Sequence, residues 1–92
     1  VHFDADDKLK DFTIKKLSKL TTFYDKIIDS DVVLSLDQNG AAVKDKVALI
    51  KINIPGTQLV AKETSKVFEE SIDNAVDALR RQLKKSKEKI KN

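Results

Sequence analysis

The hydrophobic period of this chain changes twice, and that limits what it can fold into more than any other feature. Apolar residues recur at helical spacing from Leu9 to Ile27, alternate one-by-one from Asp31 to Ile54, and return to helical spacing from Phe68 onward. A helix, a group of strands and a second helix follow in that order. Leu9, Phe12, Leu17, Leu20, Phe23, Tyr24 and Ile27 fall within an arc of about 140° at 100° per residue, so they predict one amphipathic helix. It starts after Asp4-Ala5-Asp6-Asp7, where one Asp can accept free N–H groups and the other acids suit the positive helix end. Ile14 lies off the apolar face and is expected to be exposed.

Val32, Leu34 and Leu36 then take one side of a strand, with Val33, Ser35 and Asp37 on the other. Asn39-Gly40 can supply the positive φ values of a tight hairpin turn. In the return strand Ala48, Ile50, Ile52 and Ile54 alternate with Leu49, Lys51 and Asn53, until Pro55-Gly56 ends the ladder. A shorter strand around 59–62 comes next, and Thr64 or Ser65 caps the second helix. Its apolar stripe is Phe68, Ile72, Ala75, Val76, Leu79, Leu83 and Ile90. The opening Val1-His2-Phe3 is β-like but short and no Met precedes it, so it is expected to be what remains of a trimmed first strand. The expected fold class is α+β: a two-layer β-α-β-β-β-α sandwich, with two helices packed on one face of a four-stranded sheet and water on the other.

Composition narrows the chemistry. Ninety-two residues suffice for a single domain, 1–92, with one modest core. The lack of Cys removes disulfides, thiol nucleophiles and zinc ribbons. The only His is His2, so no base is at hand to activate a Ser or Thr nucleophile. Asp4-Ala5-Asp6-Asp7 lacks the central Gly and distal Glu of a calcium loop, and both glycines sit in turn signals rather than in a phosphate cradle. The run Val47-Ala48-Leu49-Ile50 is far short of the roughly 20 apolar residues that span a bilayer. The expectation is a cytoplasmic protein that is not an enzyme, with no cofactor, metal, membrane or small-molecule substrate.

A net charge of +3 names no partner, but its distribution is uneven. Residues 80–92 hold Arg80, Arg81, Lys84, Lys85, Lys87, Lys89 and Lys91 against the single acid Glu88, a net of +6. The first 79 residues hold eleven cations against fourteen acids, a net of −3. Helix-dipole complementarity accounts for acids early and cations late in the second helix, yet it fades within about one turn, and the basic stretch is longer. On that helix Arg80, Lys84, Lys87 and Lys91 fall within about 60°, in a row of roughly 16 Å, with Arg81, Lys85 and Lys89 on the other side. On the first helix Lys8, Lys15, Lys19 and Lys26 fall within about 40° over roughly 27 Å, with Lys16 nearer the core edge. Helices lying side by side would join these stripes into one surface for a phosphate backbone. Four Phe and one Tyr, most of them core-facing, offer no row of exposed aromatics, so binding is expected to go by shape and phosphate.

The chain resembles the ribosome hibernation promoting factor family, also called ribosome-associated inhibitor A or protein Y. The resemblance covers nearly its whole length. It is carried by Lys16-Leu17-Ser18-Lys19-Leu20 with Phe23, by Asp31-Val32-Val33-Leu34, and by Ile72-Asp73-Asn74-Ala75 with Leu79-Arg80-Arg81-Gln82-Leu83-Lys84-Lys85. Ala78 stands where members often carry Lys, and Arg80 where Glu is common. The resemblance implies a non-enzymatic translation inhibitor, monomeric as an isolated domain. Its implied partner is the small ribosomal subunit, 16S rRNA and ribosomal proteins together. There it would lie in the decoding channel, across the paths of messenger RNA and of A- and P-site transfer RNA. Two other readings share the pattern: a double-stranded RNA-binding-like module and a protein-interaction module. Double-stranded RNA-binding domains start their second helix with a basic cluster, whereas here Glu69 and Glu70 stand there.

Overall fold

The structure is a computed structural model that describes residues 7–37 and 45–90, the last four by backbone alone. The elements run α1 (Asp7–Phe23), β1 (Asp29–Asp37), β2 (Asp45–Ile54), β3 (Thr57–Ser65) and α2 (Phe68–Ile90). The strands form an antiparallel sheet in the order β1-β2-β3. The α+β class with two helices therefore stands, but among the described residues the sheet has three strands rather than the expected four. The expected first strand at Val1-His2-Phe3 lies outside the described residues, as does the turn at Asn39-Gly40.

Register explains which side chains face inward. Val32 of β1 pairs with Ile50 of β2, which pairs with Ala61 of β3, and all three are buried. As the central strand, β2 is laddered on both sides, and its alternating Ala48, Ile50, Ile52 and Ile54 are buried along its length. Ile54 pairs with Thr57 across the two-residue loop Pro55-Gly56. Gly56 has φ +88°, the value a type II turn needs after Pro. Leu36 has inward parity yet is 51% exposed, because α2 lies over β2 and β3 and the far end of β1 is outside its cover.

The first helix ends at Phe23, four residues before Ile27. Thr21 and Thr22 both donate Oγ1 hydrogen bonds back to the Ser18 carbonyl, at 2.8 and 3.0 Å, the local side-chain bonding that makes such residues weak helix formers. The Tyr24 N–H still reaches the Leu20 carbonyl, and its ring is buried. Four residues on, the Ile28 N–H already bonds the Asn53 carbonyl beside the sheet.

The two helices run parallel. Lys16 meets Asp73 at 2.9 Å and Phe23 meets the Arg80 guanidinium, and each pair is 57 positions apart. Leu17, Leu20 and Tyr24 enter one core with Ile72, Ala75, Val76, Leu79 and Leu83. Full burial of such a side chain stabilises the fold by about 1.5–3 kcal/mol. Ile14 is 56% exposed, as its position on the helix requires.

Polar contacts fix where α2 sits. The buried Ser71 hydroxyl donates to the Lys46 carbonyl at 2.6 Å and lies 2.9 Å from the Ser65 hydroxyl. Ser65, rather than Thr64, stands at the helix start, where its Oγ accepts the Val67 N–H at 3.3 Å. Immediately before Leu83, Gln82 donates to the Val60 carbonyl on β3.

Candidate nucleic-acid interface

One flank of α2 carries Glu69, Asp73, Asp77, Arg80, Lys84 and Lys87 within about 80° at 100° per residue. The sign along it changes once, between Asp77 and Arg80. The packing of α1 explains the change: because the helices are parallel, α1 lies along the acidic half. Lys16 is the link. Its side chain is 22% exposed, it pairs with Asp73, and its Nζ lies 5.4 Å from the Phe12 ring centroid. Lys16 thus joins the helices instead of projecting from the surface.

The parallel register brings Phe23, the end of α1, alongside Arg80. From there α2 runs on for ten residues, about 15 Å, beyond the end of its partner. Arg80, Arg81, Lys84 and Lys85 are all exposed on this extension. The Arg80 guanidinium lies 5.5 Å from the Phe23 ring centroid, and Arg81 lies 3.7 Å from Asp77. Lys84 and Lys85 have no ion-pair partner among the described residues. The backbone at Lys87 and Lys89 continues the helix, while their side chains, and all of Lys91, lie outside the described residues.

On α1, Lys8, Lys15 and Lys19 are exposed and keep the expected stripe. Lys26 does not extend it, because it sits in the turn after the helix has ended. The two stripes therefore do not run side by side over their whole length. They approach one another near Lys19 and Arg80, which line a groove of about 580 Å³ between the helices. Leu20, Phe23 and Val76 give that groove an apolar lining, and Asp73 and Asp77 add carboxylates beside the cations.

Reasoning from the basic residues alone missed Phe23, Asp73 and Asp77 as parts of this surface. The signal was available in the spacing: the same three- and four-residue steps that connect Arg80 to Lys84 continue back through Asp77 to Asp73. Among the described residues no group of three or more acidic or His side chains could hold a metal ion, and no helix is long and apolar enough to cross a membrane.

Residues 1–91 match the family described as Sigma 54 modulation protein / S30EA ribosomal protein. A ribosome hibernation promoting factor of Pseudomonas putida is 32% identical over 88 residues, covering 96% of this chain and 81% of that protein. A ribosome hibernation promotion factor of Bacillus subtilis is 34% identical over 86 residues, 89% of this chain and 42% of that longer protein. The N-terminal domain of Thermus thermophilus Protein Y superposes with a TM-score of 0.76 at 30% identity, over 90% of this chain and 86% of that one. A ribosomal subunit interface protein of Coxiella burnetii has the same fold, with a TM-score of 0.80 at 22% identity over 92% and 88% of the two chains.

Proposed function

This chain belongs to the Sigma 54 modulation protein / S30EA ribosomal protein family, that of the ribosome hibernation promoting factors, and we propose that it binds the small ribosomal subunit and silences it by occupancy. The domain fills the decoding channel and excludes messenger RNA and the A- and P-site transfer RNAs. It acts as a monomer in the cytoplasm, by a mechanism that requires no catalytic step, cofactor or membrane. Its basic face meets the 16S rRNA backbone, with ribosomal proteins completing the contact.

One observation carries this reading: α2 continues about 15 Å past α1 as a helix whose exposed side chains, among the described residues, are cations. Among the described residues no side chain beyond Leu83 is buried, and the four to seven cations of 80–92 match phosphates spaced along an RNA strand. The acidic start of α2 at Glu69 and Glu70 argues against the double-stranded RNA-binding alternative.

The test is co-sedimentation with purified small subunits over a salt series. Four to seven phosphate contacts predict a slope of log affinity on log salt between roughly −3 and −6. A flat dependence would contradict the electrostatic mechanism. In cell-free translation the same protein should stop synthesis at saturation, and undiminished synthesis there would contradict channel occupancy.

A further inference from the structure

The groove between the helices is not built as a site for phosphate alone. Leu20 and Val76 lie buried beneath it, and the exposed Asp77 lines it, where a carboxylate repels any bare anion. Lys19 supplies a cation on one wall, and the exposed Arg80, over the half-buried Phe23 ring, supplies a planar guanidinium on the other. At about 580 Å³ the groove falls within the range typical of small-molecule sites. Proteins read single-stranded RNA by placing unstacked bases on aromatic rings or Arg guanidinium planes, and this groove contains both.

We propose that the groove receives one unstacked guanine of the bound RNA. The base lies against the Phe23–Arg80 pair, and Lys19 meets the attached phosphate. Asp77 accepts hydrogen bonds from the base edge. Guanine fits because an ionised carboxylate only accepts, and guanine alone presents a ring N–H and an amino group side by side. Asp77 is the carboxylate available for this: Asp73 is held by Lys16 at 2.9 Å, whereas the Arg81 contact to Asp77 is loose, at 3.7 Å. A carboxylate in a polyanion-binding surface then has a selective role, since it penalises every nucleotide that cannot donate to it. The inference rests on the ribosomal reading for the identity of the RNA, and it deepens that reading from phosphate contact to base selection.

The experiment is amide chemical-shift titration of the 92-residue chain with guanosine 5′-monophosphate, adenosine 5′-monophosphate and inorganic phosphate. Guanosine monophosphate should shift amides in 19–23 and 73–80 and bind about fivefold or more tightly than either of the others, the discrimination expected of one bidentate base contact. Asp77→Asn should bring the guanosine-to-adenosine ratio to about one while leaving the spectrum folded, since Asp77 is exposed. Equal binding of phosphate and guanosine monophosphate, or shifts confined to the helix extension, would overturn the groove assignment. Salt-dependent sedimentation with ribosomal subunits would in that case leave the ribosomal reading standing. Guanosine selectivity in a chain that does not sediment with subunits would do the reverse.

Discussion

The two halves of α2 differ in almost everything except their helical backbone. From Phe68 to Leu79 the helix buries Ser71, Ile72, Ala75, Val76 and Leu79, bonds to Lys46 of β2, and engages α1 through Asp73. From Arg80 onward Leu83 is the one buried side chain among those described, and the exposed charges are all positive up to Lys85. The contrast separates two explanations for a split charge pattern. Dipole complementarity acts on the first and last turns, so it accounts for Glu69 and Glu70 but not for Asp73 and Asp77 in the middle. Those two lie on the flank that faces α1, and Asp73 is the residue Lys16 pairs with. Asp73 is part of the fold's own assembly, and the basic half, with Asp77 beside it, is what the fold leaves for a partner.

Substitutions at the packed or paired residues of the first half should therefore act on stability and substitutions in the second on binding. Ile72→Ala is expected to have the largest effect, about 2–5 kcal/mol, because Ile72 is fully buried. In a domain of this size that lowers the thermal midpoint by roughly 10 °C or more, and a calorimetric scan would show it. Ser71→Ala removes the donor to the Lys46 carbonyl and should cost about 1 kcal/mol in denaturant unfolding. Asp73→Asn should cost less, at most about 1 kcal/mol, since its bond to Lys16 lies at a half-exposed seam. In the second half, Lys84→Ala should leave stability within about 0.5 kcal/mol of the parent. A larger loss there would mean that the extension is part of the folded body, and the comparison would fail.

Much of this was readable from the residues. The alternation in β2 named its four inward side chains, Pro55-Gly56 marked the one described hairpin loop, and the α2 stripe from Ile72 to Leu83 was complete. Each of these depends on neighbours a few positions away. What could not be read depends on separations of about 57 residues: that the helices are parallel, that Lys16 is spent on Asp73, and that Phe23 meets Arg80. Helical periodicity places lysines on a face, but only packing decides whether that face meets another helix or solvent. The stop at Phe23 is masked for a local reason, since apolar spacing continues through Tyr24 and Ile27 while the hydroxyls of Thr21 and Thr22 bond back to the Ser18 carbonyl in the last turn. Leu36 shows the same limit in a strand: its parity is inward, yet it is 51% exposed.

The measurement closest to the central claim is a matched charge reversal on α2, with co-sedimentation on small subunits over a salt series as the readout. Lys84→Glu with Lys85→Glu reverses the basic half, and Glu69→Lys with Glu70→Lys reverses exposed acids at the other end. Each phosphate-contacting Lys that is lost should reduce the steepness of the salt dependence by about 1, so the first pair is expected to flatten it by about 2. The second pair should leave the slope as it is in the parent chain. Equal effects from the two pairs, or an unchanged slope with Lys84 and Lys85 reversed, would contradict the assignment of the α2 extension as the RNA-binding half.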